Sequence, residues 1–294
     1  MGFSATEAAF EGFRVVRRKP LALVWWGLSY LLVMAVGFAL IAPQLVNLMV
    51  AMQTLQASSG PPDMTDFQPM WAAYGSIMPI VFPLGIIFGA VMNAAIVRSV
   101  VSPQSDAFGY MRLGMDEVRT AVVTLVLTIL SIVVSALVFG LVGAVFGFAA
   151  AAQMPMLLLV GVAATIGGLV LMAWLSARFS LAVPITVAEK RIAIFDSWGL
   201  TKGRTWPIIG MAIIAFVMTV VVSLLGSLIF LPLTMTVGAM NDWTALEGMT
   251  LPEILAAVGP ALAVSILVQA VMSSLQLAVI YAPFSAAYRD IKAG

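Results

Sequence analysis

The sequence predicts an all-α membrane protein with six transmembrane helices, built as three units of an interfacial helix followed by a hairpin, with both termini cytoplasmic. Three observations predict it. Apolar runs of eighteen residues or more, long enough to cross the hydrocarbon core as a helix, occur six times. Of 294 residues, 62% are hydrophobic and only 9% charged, whereas a soluble domain is about a quarter charged. All fourteen Lys and Arg residues fall into four clusters, Arg14–Lys19, Arg98–Arg119, Arg178–Arg204 and Arg289–Lys292. Two apolar runs and one loop without a basic residue separate each cluster from the next.

The expected spans are Pro20–Met52, Trp71–Val100, Ala121–Ala151, Pro155–Val187, Pro207–Val237 and Pro252–Ala286. The first follows basic residues as a signal peptide does. Its apolar run continues from Leu21 to about Val50, too long for an h-region, and reads as an uncleaved span. Pro43 lies inside span one, and Pro79 and Pro83 lie inside span two; each removes a backbone donor and can kink its helix. Gly85-x-x-x-Gly89 in span two and Gly143-x-x-x-Gly147 in span three read as close-packing motifs. Spans three and four are joined by a very short turn near Ala152–Met154, and Pro184 and Pro283 sit near the inner ends of spans four and six. Thr250-Leu251-Pro252-Glu253 reads as a capping box opening span six. Most spans approach 30 residues, or about 45 Å at 1.5 Å per residue. The hydrocarbon core needs about 20 residues, so the surplus implies tilt, kinks or extension beyond the bilayer.

Basic residues concentrate in cytoplasmic loops. That rule places both termini and the loops around Arg98–Arg119 and Lys190–Arg204 inside. The Gln53–Met70, Ala152–Met154 and Met240–Leu251 segments fall outside, and Asp63, Asp66, Asp242, Glu247 and Glu253 accompany the longer two. Arg exceeds Lys ten to four, and Ala, Gly and Val are abundant. This composition leans towards a GC-rich bacterial source, hence the bacterial inner membrane.

Three segments resemble one another: Ala9–Arg14, Ala107–Arg112 and Ile194–Gly199. Each sets two large apolar residues three apart, as Phe10/Phe13, Phe108/Met111 and Phe195/Trp198, ahead of basic residues and a span. The spacings of 98 and 87 residues between Phe10, Phe108 and Phe195 imply internal repetition. The single membrane domain, 1–294, then divides into repeats at about 4–100, 103–190 and 191–294. Ser4-x-x-Glu7 supplies a start signal for the first interfacial helix. Phe10 and Phe13 are expected to face lipid tails, with Arg14, Arg17 and Arg18 at headgroups. Arg112, Arg178, Lys202 and Arg204 complete the headgroup candidates.

Composition excludes much chemistry. Cys and His are both absent, which removes thiolate and imidazole nucleophiles and the usual transition-metal ligands. No cofactor or metal site is expected. A net charge of +1 gives no field for nucleic acid. Ionisable residues near mid-bilayer mark proton relays and voltage sensors; the nearest here is Arg178, placed to snorkel from the inner end of span four. Asp63 and Asp66 read as solvated loop acids. No serine is paired with an intramembrane lysine, and the chain is not expected to be an enzyme.

Uncharged polar residues form stripes. Thr124, Thr128, Ser131 and Ser135 follow one face of span three. Thr219, Ser223 and Ser227 do so in span five, and Ser265, Gln269, Ser273 and Gln276 in span six. Such stripes serve close helix packing, or they line a shared cavity between spans three, five and six.

The stretch from Arg178 to Trp206 resembles the membrane domain that accompanies some bacterial glycerophosphodiester phosphodiesterases, together with related polytopic proteins. The elements that match are Arg178, Pro184, Glu189, the turn from Ser197 to Thr201, Gly203 and Trp206. The catalytic barrel of that family relies on histidines, so catalysis does not carry over. The resemblance implies a stand-alone inner-membrane module concerned with lipids. The resulting expectation is a non-enzymatic protein that organises lipids or scaffolds a membrane complex; the alternative is a channel or carrier for a small neutral or amphipathic solute. Membrane lipids are the expected partners, and a membrane-protein partner or a second copy is compatible with either reading.

Overall fold

The computed structural model describes residues 3–57, 63–104, 107–238 and 251–293. Among the described residues every regular element is helical. In chain order these are α1 (Ala5–Ala9), α2 (Glu11–Arg18), α3 (Pro20–Ala57), α4 (Gln68–Val101) and α5 (Met115–Ala151). Then come α6 (Pro155–Phe179), α7 (Ala182–Glu189), α8 (Asp196–Leu200), α9 (Thr205–Gly238) and α10 (Leu251–Ala293). Six stretches of helix are long and apolar enough to cross a membrane. They correspond to α3, α4, α5, α6 with α7, α9 and α10, matching the six expected spans.

Local chemistry starts several of these helices. The Ser4 side chain accepts the Glu7 N–H and caps α1. Asp63 and Asp66 are reciprocal caps of a 3₁₀ turn, Met64–Phe67, ahead of α4. The Met64 N–H donates to Asp63 Oδ1 at 2.7 Å, and the Asp63 N–H donates to Asp66 Oδ2 at 2.9 Å. The Glu117 carboxylate accepts the Gly114 N–H at 3.0 Å as α5 begins. Pro155 occupies the first turn of α6, where its missing donor costs nothing. The Thr250–Glu253 capping box and the acids Asp242 and Glu247 lie outside the described residues and side chains.

Two compact units share the chain. One contains 1–22, 90–225 and 275–294; the other contains 23–89 and 226–274. In the first, a core of small and β-branched side chains joins Ala94 and Val97 of α4, Val123 of α5, and Ala182, Val183 and Val187 of α7. Within the second, Tyr30 of α3 meets Phe88 of α4 edge-on at 6.0 Å, and Gly37 of α3 lies beside Leu84.

The two G-x-x-x-G motifs do not make the expected contacts. A Cβ at Gly85, Gly89, Gly143 or Gly147 meets nothing within 4 Å. Close approach occurs at other glycines. On α6, a Cβ at Gly161 would lie 2.7 Å from the Phe146 ring of α5, and one at Gly168 would collide with Val138. At Gly12 of α2 the obstacle is backbone: Ala278 O and Val279 Cα of α10 would each lie 2.6 Å away. Spacing alone does not reveal which glycines face a neighbour.

Span four is not the continuous helix expected from Pro155 to Val187. It breaks at Ser180 and Leu181, between α6 and α7. Pro184 has no N–H to donate four residues back to Ser180, and the Leu181 N–H turns to Ser197 Oγ at 3.1 Å. The segment Ala107–Arg112, expected to be an interfacial helix, is instead a left-handed turn. Phe108, Gly109 and Tyr110 all have positive φ. This turn buries Tyr110 completely, and its hydroxyl donates to Pro103 O at 3.1 Å. Helix is therefore present in the first and third of the three similar segments, as α1–α2 and α8.

The Gly12 contact gives a direct test of how α2 is docked. Gly12→Val is expected to destabilise the protein by about 1–3 kcal/mol, the usual range for overpacking a tight site. Thermal unfolding in detergent reads this, and an unchanged midpoint would show that α2 is not seated on α10.

Candidate functional site

The break in span four builds the site. Ser197, on α8, is fully buried. Its hydroxyl donates to Arg178 O at 2.6 Å and accepts the Leu181 N–H, so one side chain satisfies two of the backbone groups freed by the break. The Thr201 hydroxyl donates to Ser197 O at 2.9 Å, and that of Thr205 donates to Thr201 O at 3.1 Å. This ladder ties α8 to the start of α9.

Fixing α8 also fixes its aromatic face. Trp198 stands edge-on to Trp174 at 5.3 Å and to Phe179 at 5.5 Å. The Arg178 guanidinium lies 5.2 Å from the ring centroids of both Trp174 and Trp198, and its Nη1 donates to Trp198 O at 3.3 Å. Arg178 is thus held by cation–π contacts and a backbone carbonyl.

Beside this aromatic cluster lies a cavity of about 700 Å³. Thr124, Leu127, Thr128 and Ser131 of α5 form one wall, and Met172, Leu175, Ser176 and Phe179 of α6 form another. Val183 and Pro184 of α7, and Phe195 and Trp198 at α8, close a third side. Asn93 of α4 and Tyr281 and Phe284 of α10 complete the lining, which contains no acidic or basic side chain.

Four of the five Ser and Thr hydroxyls in the lining differ from most others in the helices; the fifth, Ser180, donates to Ala177 O at 2.8 Å. Ser29, Ser76, Thr165, Thr219 and Ser274 each donate to a carbonyl three or four residues back, the usual resting place of a helical hydroxyl. Thr124, Thr128, Ser131 and Ser176 have no hydrogen bond among the described residues. Thr124 Oγ1 is buried with no partner.

The structure separates the expected stripes. Three members of the span-three stripe line the cavity, and Ser135 does not. Thr219 and Ser223 of α9 bond back along their own helix. Gln276 Nε2 donates to Ser223 Oγ at 2.9 Å, so the stripes of spans five and six meet there in a packing contact. Gln269 Nε2 donates to Ser273 Oγ at 3.0 Å within α10, and Ser227 and Ser265 are also engaged. No residue of α9 lines the cavity, which is formed by spans three and four with Asn93 of span two, the segment at α8 and the end of span six.

The basic clusters are partly neutralised from within. Glu11, almost fully buried on α2, is shared by Arg14 at 3.2 Å, Arg18 at 3.9 Å and Arg289 of α10 at 3.4 Å. The buried Arg98 pairs with Glu117 at 2.6 Å and Asp116 at 3.5 Å, and donates to Tyr110 O at 3.1 Å. Arg119 pairs with Asp116. Glu189 binds Arg191 and Lys292, and Arg191 also binds Asp196. Hydrogen bonds to Glu189, and then to Asp196, raise the Arg191 guanidinium above its already high ordinary value. Among the described residues no acid reaches Arg17, Arg112, Lys202 or Arg204. Of the seven headgroup candidates, these four keep an unpaired charge. Arg14 and Arg18 share Glu11, and Arg178 is stacked between indoles. Phe10 is exposed as expected on a lipid-facing helix, but Phe13 is only half-exposed.

Sequence reasoning missed the roles of Glu11, Arg98, Glu117 and Ser197. Their signal was available: Glu11 precedes the small Gly12, and Glu117 begins an apolar span where a buried acid needs a cation.

This fold is that of a multi-pass membrane protein. Comparison with protein-family models, curated proteins and solved structures finds no match for the chain. The resemblance seen between Arg178 and Trp206 therefore rests on those residues alone.

The Ser197 hydroxyl is testable by itself. Ser197→Ala leaves the Leu181 N–H unpaired and the Arg178 carbonyl with only the long bond from the Thr201 hydroxyl at 3.5 Å; an unpaired buried group costs about 1–3 kcal/mol. A lowered unfolding midpoint in detergent is expected. A midpoint equal to wild type would show that the break is satisfied in another way.

Proposed function

We propose that this is a non-enzymatic, lipid-organising protein of the bacterial inner membrane, with both termini cytoplasmic and an origin in three related units. The observation that carries the reading is the cavity between α5 and α6. Its walls are apolar, its polar groups are uncharged, and it lies among spans that a bilayer surrounds with lipid. Its volume of about 700 Å³ falls within the ~300–1,000 Å³ range of small-molecule sites. The four unpaired cations Arg17, Arg112, Lys202 and Arg204 supply headgroup contacts in the basic clusters. The resemblance to lipid-associated membrane domains supports the same reading, because Arg178, Pro184 and Ser197 are the matching residues that hold the break and shape the cavity wall.

Native mass spectrometry after gentle extraction tests the reading. The protein is expected to retain a lipid, and Thr128→Phe, which puts an aromatic ring into the cavity beside the polar track, is expected to reduce that retention at least tenfold. Equal retention in the variant would remove the cavity from the account. Solute flux in proteoliposomes without retained lipid would favour the alternative, a carrier for a small neutral or amphipathic solute.

Topology is tested separately. Reporter fusions at residue 60 and at residue 294 are expected to report opposite compartments. Signals from the same compartment would overturn the six-span arrangement.

A further inference from the structure

We propose that the cavity between α5 and α6 takes a neutral, ester-bearing lipid of the diacylglycerol class, held by hydrogen bonds from Thr124, Thr128, Ser131 and Ser176. The proposal rests on the reading of the protein as a lipid-organising module and specifies the chemistry of its ligand. Three observations lead to it.

The first is charge. Thr124, Thr128, Ser131, Ser176, Ser180, Asn93 and Tyr281 supply polar groups to the lining, and none is an acid or a base. A phosphate or carboxylate placed among them would be desolvated without a counter-charge, a cost far above that of burying a neutral oxygen. Arg178 is outside the lining and is held by Trp174, Trp198 and the Trp198 carbonyl, although its Nε has no partner. An anionic headgroup is excluded from the cavity on this ground and belongs at the unpaired surface cations.

The second is hydrogen-bonding capacity. The helical hydroxyls of this chain commonly satisfy themselves on their own backbone, whereas these four lack such bonds. Buried polar groups are normally paired; Thr124 Oγ1 is buried without a partner, while Thr128 is half-buried and Ser131 and Ser176 are exposed in the open side of the cavity. The walls therefore present donors that a ligand with acceptor oxygens would satisfy. Two ester carbonyls and one hydroxyl, the polar part of a diacylglycerol, supply such acceptors.

The third is layout. Thr124, Thr128 and Ser131 follow one face of α5 over about 10 Å of helix at 1.5 Å per residue, and Ser176 faces the same space from α6. The remaining walls are apolar, with Leu127, Leu175, Phe179 and Val183 offering surface to acyl chains. A polar track within an apolar chamber matches a molecule whose few oxygens adjoin long hydrocarbon chains.

Binding of dioleoylglycerol and of dioleoylphosphatidylglycerol to the delipidated full-length protein in detergent, followed by native mass spectrometry, tests the proposal. Dioleoylglycerol is expected to bind at one equivalent and at least tenfold more tightly at the cavity than the anionic lipid. Combining Thr124→Val, Thr128→Val, Ser131→Ala and Ser176→Ala is expected to weaken dioleoylglycerol binding at least tenfold. The single changes Thr124→Val and Ser131→Ala, checked by unfolding midpoint, keep the test decisive if the combined variant does not fold. Ser223→Ala, which alters a hydroxyl paired with Gln276 outside the cavity, is expected to leave binding unchanged. Wild-type affinity in the folded hydroxyl-free variants would overturn the proposal. So would equal binding of the two lipids. If Thr128→Phe then abolishes both, the cavity still binds lipid and only the neutral class falls; if it affects neither, the lipid-organising reading falls with it.

Discussion

Hydrocarbon offers no partner to a free backbone N–H or C=O, so a span can be interrupted only where the protein itself replaces the lost hydrogen bonds. Span four is interrupted by Pro184, and the replacement comes from Ser197, which is sixteen residues beyond Leu181 in sequence. Because the hydroxyl must both accept from Leu181 and donate to Arg178, the position of α8 follows from the position of the break. Trp198 and Phe195 are carried with α8 into the wall of the cavity. The aromatic contacts with Trp174 and Phe179, and the seat of the Arg178 guanidinium, depend on the same placement. A backbone requirement thus sets the shape of the site.

A second requirement acts at the basic ends of the helices. Glu11 and Glu117 are almost fully buried, as is Arg98, and a buried charge without a partner would be strongly destabilising. Their pairing consumes cations that composition alone would assign to lipid headgroups. Arg289 is drawn to Glu11, which joins the last helix to α2 close to where Gly12 admits the backbone of α10. Arg98 reaches the Tyr110 carbonyl and so stabilises the left-handed turn between α4 and α5. Among the seven headgroup candidates, Arg17, Arg112, Lys202 and Arg204 are those that neither an acid nor an indole pair engages among the described residues, a subset set by three-dimensional pairing rather than by abundance.

The six spans were legible in the sequence because length and hydropathy are properties of continuous segments. Their starts at Pro20, Pro155 and near Pro207 were legible because prolines and charged clusters mark them locally, whereas α5 begins at Met115, ahead of the expected Ala121, and α10 runs on to Ala293, past the expected Ala286. The break in span four was not, since Pro184 announces only a lost donor and the compensating Ser197 belongs to a different element. The turn at Phe108–Tyr110 was hidden by a likeness of pattern: two large residues three apart suit a helix, yet burial of Tyr110 and its bond to Pro103 favour a left-handed path here. G-x-x-x-G spacing pointed to Gly85, Gly89, Gly143 and Gly147, whereas the close contacts fall at Gly12, Gly161 and Gly168, because facing depends on helix rotation and not on spacing. The stripe in span three located half of the cavity. Its other half, including Ser176 and Asn93, lacked any periodic signal.

The same distinction separates packing hydroxyls from binding hydroxyls. A Ser or Thr in an apolar helix loses little when it bonds to its own backbone, so a polar stripe carries no message about ligands unless those bonds are absent. Thr219 and Ser223 have that internal bond, and the contact between Ser223 and Gln276 completes a helix–helix interface. Thr124, Thr128 and Ser131 lack it and line the cavity, with Thr124 Oγ1 itself buried. Two stripes with the same residue types and nearly the same spacing therefore have different physical meanings. Hydroxyls without internal bonds beside an uncharged, apolar space motivate the proposed lipid ligand, whereas the bonded stripe of α9 motivates none.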